Sequence, residues 1–143
     1  MAAATALAAR ADLIVEAFPN AFLAVGLPDR LLADPPVLRR GRKFDWLYDA
    51  WVKSGLTQRL LAELDIGHPT LVSRLSRTSN HDERAALICL LTALCVASGR
   101  FVKVGDPKTG WFFLPPEALW EDWARKGLDQ EARRLPVIQV SRR

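Results

Sequence analysis

Two short segments hold the residue types best suited to chemistry. The first is Leu13-Ile-Val-Glu-Ala-Phe-Pro19, an apolar run that delivers one carboxylate, Glu16. The second is His81-Asp-Glu-Arg-Ala-Ala-Leu-Ile-Cys-Leu-Leu-Thr-Ala93, an apolar helix opened by two acids, Asp82 and Glu83. Phosphodiester hydrolysis assisted by Mg²⁺ or Mn²⁺ needs several such groups. Hard divalent cations prefer oxygen ligands, and carboxylates balance their charge. On that chemistry Glu16 and Asp82 are the metal ligands and, with Glu83 and His81, the catalytic set; His81 orients water or a ligand. Each residue also has a plainer reading. Glu16 marks where a buried strand surfaces, acids are favoured in a first helical turn by dipole and capping alone, and His81 is a surface residue.

Other chemistries lack their residues. The sequence has no Gly-x-Ser-x-Gly elbow, no phosphate-cradling Gly-rich loop and no Cys/His zinc spacing. His68 and His81 do not form a zinc-binding helix pair. Cys89 and Cys95 would lie about 9 Å apart along a helix axis, too far to bridge, and are expected as buried reduced thiols of a cytoplasmic protein. The five tryptophans recur at helical or strand spacing with other apolar residues, as core anchors do.

The bulk properties fit these roles without requiring them. A chain of 143 residues, half apolar and a quarter charged, is expected to fold as one soluble domain spanning residues 1–143. The net charge of +4 permits a polyanionic partner such as nucleic acid. The charge is uneven, with Arg39, Arg40, Arg42 and Lys43 clustered ahead of a helix. That cluster is either a solvated loop or a patch for nucleic-acid backbone. No membrane segment is expected: the uncharged run Ala85–Ala97 falls short of the roughly 18 residues that span a bilayer. The alanine-rich start lacks the basic leader of a signal peptide.

The elements that would position these groups follow from pattern. Asp12 to Ala17 predicts a buried strand stopped by Pro19, and a short helix or turn follows near Leu27-Pro-Asp29. Asp34-Pro-Pro36 to Arg40 predicts a loop. Phe44, Leu47, Tyr48, Trp51 and Val52 form a helical stripe broken by Gly55. Leu56, Leu60, Leu61 and Leu64 form a second stripe, ended by Gly67-His-Pro69, and Thr70 to Arg77 a third. Asn80 is placed to cap the next helix, with Glu83 reaching back to complete a capping box. That helix runs to Ala97 and is apolar nearly all round, which predicts cover on several sides. Residues 100–104 and 111–114 predict a β-hairpin across a glycine-bounded loop. Glu117 to Arg125 predicts an amphipathic helix, and Val137 to Val140 a last short strand or tail.

Four of these segments, taken in order, carry a family likeness: Glu16-Ala-Phe-Pro19, Lys43-Phe-Asp-Trp-Leu-Tyr48, His81-Asp-Glu-Arg-Ala-Ala-Leu-Ile-Cys89 and Val104-Gly-Asp-Pro-Lys-Thr-Gly-Trp111. Over roughly residues 10–116 the chain resembles the predicted nucleases grouped as domain-of-unknown-function family 429, which share a ribonuclease-H-like fold related in topology to Holliday-junction resolvases. The resemblance implies a metal-dependent hydrolase acting on nucleic acid, with Mg²⁺ or Mn²⁺ as cofactor. It also implies two gaps. Such domains begin with a three-stranded meander bearing an essential aspartate, and here the chain starts at the helix that would follow it. Many members carry Asp-x-x-Asp-Ala in the helix, where this chain has Ala85 at the second acid.

The expectation is therefore an α/β, helix-rich, partial ribonuclease-H-like domain lacking the N-terminal meander and carrying a C-terminal β-hairpin. As a chain by itself it would be incomplete or inactive as a nuclease. The rival expectation is a non-catalytic interaction or remnant domain, a homo-oligomer or one that pairs with a second chain supplying the missing strands, because a strand without its neighbours invites pairing.

Overall fold

The computed structural model describes residues 15–33 and 41–143. Among them are seven α-helices and one three-stranded antiparallel sheet, an α/β, helix-rich arrangement. In chain order the helices are α1 (Pro19–Ala24), α2 (Asp29–Ala33), α3 (Lys43–Lys53), α4 (Leu56–Glu63), α5 (Pro69–Arg77), α6 (His81–Ala97) and α7 (Asp122–Arg134). The strands are β1 (Val102–Asp106), β2 (Gly110–Leu114) and β3 (Gln139–Arg142). No helix of the described residues is long and apolar enough to cross a membrane.

Local chemistry sets the helix ends. Gly55, in the left-handed region at φ 71°, breaks α3 from α4 as its sequence position predicts. His68 caps α5, its Nδ1 accepting from the Leu71 amide at 3.1 Å. Asn80 caps α6, its Oδ1 accepting from the Glu83 amide at 3.0 Å. Only that half of the capping box forms, for the Glu83 carboxylate makes no return bond.

The apolar stripes form the larger core. Phe44, Leu47, Tyr48 and Trp51 of α3 meet Phe22 and Leu23 of α1, Leu60 of α4, Leu75 of α5 and Ile88, Leu91 and Cys95 of α6. Phe113 of β2 joins the same cluster. Across the sheet, Val102 and Leu114 meet Trp120, Ala124 of α7 and Val25 in a second, smaller cluster. Helices therefore cover both faces of the sheet, with β1 in its middle, between β2 and β3.

Several expectations need correction. The strand at Asp12–Ala17 falls partly outside the described residues, and those that are described make one parallel bridge, Ala17 to Phe113. Pro19 then opens α1. The loop from Asp34 to Arg40 lies outside the described residues. The hairpin forms with its first strand further along than predicted and its second nearly where expected, Val102 facing Leu114 and Asp106 facing Gly110. The tail does form a strand, pairing antiparallel with β1.

The helix expected from Glu117 is instead a 3-10 turn, Glu117–Leu119, followed by α7. Trp120 is extended, its indole donates to the Pro115 carbonyl at 2.9 Å, and the Glu121 amide donates to Val25 at 2.8 Å. These tertiary bonds outweigh helical propensity there. Helix α6 is also less covered than its composition implies: Ala86, Cys89, Leu90, Ala93 and Ala97 are exposed along one side. Cys89 is thus an exposed thiol, contrary to expectation. Cys95 is buried, and burial pushes its thiol pKa up to about 12, leaving it protonated and unreactive.

Candidate functional site

Glu16 is exposed and lies against the hairpin loop. Its Oε2 is 3.8 Å from where a side chain at Gly110 would begin, and the Ala17–Phe113 bridge fixes that approach. Asp82 and Glu83 are exposed in the first turn of α6. Among the described residues, the carboxylates of Glu16, Asp82 and Glu83 make no hydrogen bond or ion pair, so none is consumed by structure. Asp106, the acid of the hairpin loop, is consumed. Its carboxylate accepts from Thr109 Oγ1 and from the amides of Lys108, at 2.8 Å, and Thr109, at 3.1 Å, and these bonds hold its pKa below the usual value.

His81 is held differently from the acids beside it. Its Nδ1 is 3.0 Å from Asp45 Oδ2 on α3, and its ring stands edge-on to Phe44 with centroids 5.3 Å apart. Fixing Nδ1 on a carboxylate leaves Nε2 as the ring's outward nitrogen, on a side chain 52% exposed. The other oxygen of Asp45 accepts from Arg84 Nη1 at 3.1 Å. Arg84 also donates to Asp49 at 2.8 Å and to the Thr78 carbonyl at 2.8 Å, and its guanidinium lies 4.7 Å from the centre of the Tyr48 ring. The start of α6 is thereby bolted to α3.

Burial alone would raise the pKa of Asp45, but hydrogen bonds from His81 and Arg84, and their charge, more than offset it. The carboxyl is held below 3.8. A depressed folded-state pKa means the network stabilises the fold above the unfolded-state value and ceases to do so as pH falls through the folded one. The urea midpoint of the wild type should therefore drop more steeply below about pH 4 than that of Asp45→Asn, which has no such carboxylate to protonate. Parallel curves would show that Asp45 carries no acid-linked stability.

Sequence reasoning missed Asp45 and Arg84. The signal lay in Asp45 and Asp49, four apart on the polar side of α3 and spaced to share one cation. Of the basic cluster, Arg39 and Arg40 lie outside the described residues, while Arg42 and Lys43 are exposed at the start of α3.

The donor set bears directly on a metal. No three His, Cys, Asp or Glu of the described residues gather closely enough to hold an ion. Glu16 and the α6 acids reach, at most, the one or two protein carboxylates with which Mg²⁺ binds when water and substrate oxygens complete its shell. A two-ion site needs more than these residues supply. Comparison with protein-family models, with curated proteins and with solved structures finds no match to this chain.

Proposed function

We propose that this chain is a partial ribonuclease-H-like nuclease domain that contributes Glu16 and Asp82 to a divalent-metal site, with Glu83 and His81 beside them. The observation that carries the reading is that the three carboxylates stay uncommitted while neighbouring acids are tied into structure. Mg²⁺ or Mn²⁺ would supply charge neutralisation at a phosphodiester and activation of water. This chain's own part is to present carboxylate oxygens and to steady His81 through Asp45. Further acids would come from a partner chain or from the substrate's phosphates, and the protein would act in the cytoplasm.

A second reading, a non-catalytic domain that pairs with another chain or with its own copy, is favoured by the uncovered side of α6. Leu90 is 44% exposed on an otherwise apolar helix.

One titration separates the two. An ion bound only by the folded state at a hundred times its dissociation constant adds about 2.7 kcal/mol, which raises the melting temperature of a domain this size by about 5 °C or more. Mn²⁺ is expected to produce that rise in the wild type, and Glu16→Gln or Asp82→Asn to remove most of it. A melting point that ignores Mn²⁺ in all three proteins would discard the metal site and leave the pairing reading.

A further inference from the structure

Between α5 and the start of α6 runs an open cleft of about 500 Å³ lined mostly by polar side chains. Arg74 and Arg77 line it from the last turns of α5, Ser73 and Thr70 from the same helix, and Ser79 and Glu83 from the α6 side. Five other arginines are paired with acids: Arg84 with Asp45 and Asp49, Arg100 with Glu63, Arg125 with Asp122, Arg134 with Glu131, Arg142 with Glu117 and Asp129. Arg74 and Arg77 have no such partner among the described residues, and both are exposed.

The hydroxyls divide in the same way. Ser76 and Thr78 turn back onto the helix, donating to the carbonyls of Val72 at 3.0 Å and Arg74 at 2.7 Å. Those of Thr70, Ser73 and Ser79 make no bond among the described residues and remain available in the cleft. Two guanidinium forks without an acidic partner, with three hydroxyls able to donate in the same cleft, form a donor-rich surface. One carboxylate, Glu83, stands at its side. Planar guanidinium donors match the paired oxygens of a phosphate, and hydroxyls add the neutral contacts that usually accompany them.

We infer that this cleft binds the phosphodiester backbone of a nucleic-acid strand, with Arg74 and Arg77 taking successive phosphates. Arginines three apart on a helix have side-chain roots about 5–6 Å apart, and their long stems let the two heads follow one strand rather than converge on one phosphate. Glu83 also lines the cleft, so a strand held there lies beside the acidic turn of α6. The inference rests on the nucleic-acid part of the proposed function and not on its metal.

The test is fluorescence anisotropy of a labelled single-stranded oligothymidylate with the full chain, in EDTA, over a series of salt concentrations. Loss of two phosphate contacts should lower the slope of log affinity against log salt by about 1.4, at roughly 0.7 for each contact to a single strand. Arg74→Ala/Arg77→Ala should show that change, with affinity down at least about tenfold at low salt. Lys126→Ala/Arg133→Ala, which removes equal charge from α7, should leave the slope nearly unchanged. Thermal melts of both variants confirm that the fold persists.

Equal losses in the two double variants would reduce the effect to net charge and overturn the inference. So would a wild type that binds no oligonucleotide at low salt. Because EDTA removes any metal, binding that depends on Arg74 and Arg77 beside a melting point that ignores Mn²⁺ would keep this inference and sink the metal site. A Mn²⁺ shift lost in Glu16→Gln, with oligonucleotide binding indifferent to both arginines, would do the reverse.

Discussion

Replacing Gly105 with alanine is expected to cost more than about 3 kcal/mol and to open the β1–β2 hairpin. Gly105 has φ 148°, and a Cβ there would lie 2.1 Å from the Gly110 carbonyl oxygen and 2.9 Å from the Trp111 Cα. Both obstructions are backbone of the paired strand, so no side chain can swing aside. Relief requires the strands to part, which breaks the Gly105–Trp111 and Asp106–Gly110 pairing and withdraws Phe113 from the core. Glu16 would move with it, since its place depends on Ala17 bridging Phe113. Gly99→Ala is the control. Gly99 also has a positive φ, 69°, but a Cβ there meets nothing within 4 Å, so the cost is only the backbone's, about 1 kcal/mol. Urea denaturation of the two variants checks the comparison. A Gly105→Ala protein no less stable than Gly99→Ala would show that the hairpin gives way at little expense.

The sequence makes Gly105 visible as one boundary of a glycine-bounded loop but cannot show that it lies within the ladder, because the clash is with a residue across the turn. Much else was legible for local reasons. The stripe Phe44, Leu47, Tyr48 and Trp51 predicts α3 and its buried side, and all four are at most 8% exposed. Asn80 predicts the start of α6. Pattern fails where a distant bond decides. Trp120 belongs to a good helical stripe, yet the Pro115 carbonyl and the backbone of Val25 hold that segment extended. Alanine and cysteine mislead for another reason: they suit either side of a helix, so the uncovered side of α6 looks like core in composition.

The candidate site divides along the same line. Asp82 and Glu83 are legible because neighbours in sequence share the first turn of α6. Glu16 is legible as a carboxylate leaving an apolar run, but its position against the hairpin depends on a bridge to a residue far along the chain. Asp45 shows in sequence as one of a pair with Asp49, but its bond to His81, 36 residues away, enters only through the fold. The unpaired state of Arg74 and Arg77 is a fact about what does not reach them. Sequence shows only that they stand three apart among hydroxyl residues.

Arg84→Ala should be the most damaging substitution at the helix start, costing about 2–3 kcal/mol. Loss of one member of a fully buried pair costs about 3–5 kcal/mol, and partial solvent access lowers the figure here. Arg84 is 12% exposed in its side chain and Asp45 15%, whereas Asp49 is 50% exposed and loses little. Removing the guanidinium leaves Asp45 with His81 as its one remaining partner, strips the Thr78 carbonyl of a donor and uncovers the Tyr48 ring. Lysine should rescue poorly, because one ammonium cannot bridge two aspartates and a carbonyl while lying flat on a ring. The penalty should shrink at low pH, where a protonated Asp45 no longer needs a cation. A double-mutant cycle with Asp45→Asn reads the coupling directly: additive losses would mean that α3 and α6 are held by their apolar faces alone, whereas a coupling above about 1 kcal/mol would make this ion network the clamp that positions His81 and Asp82.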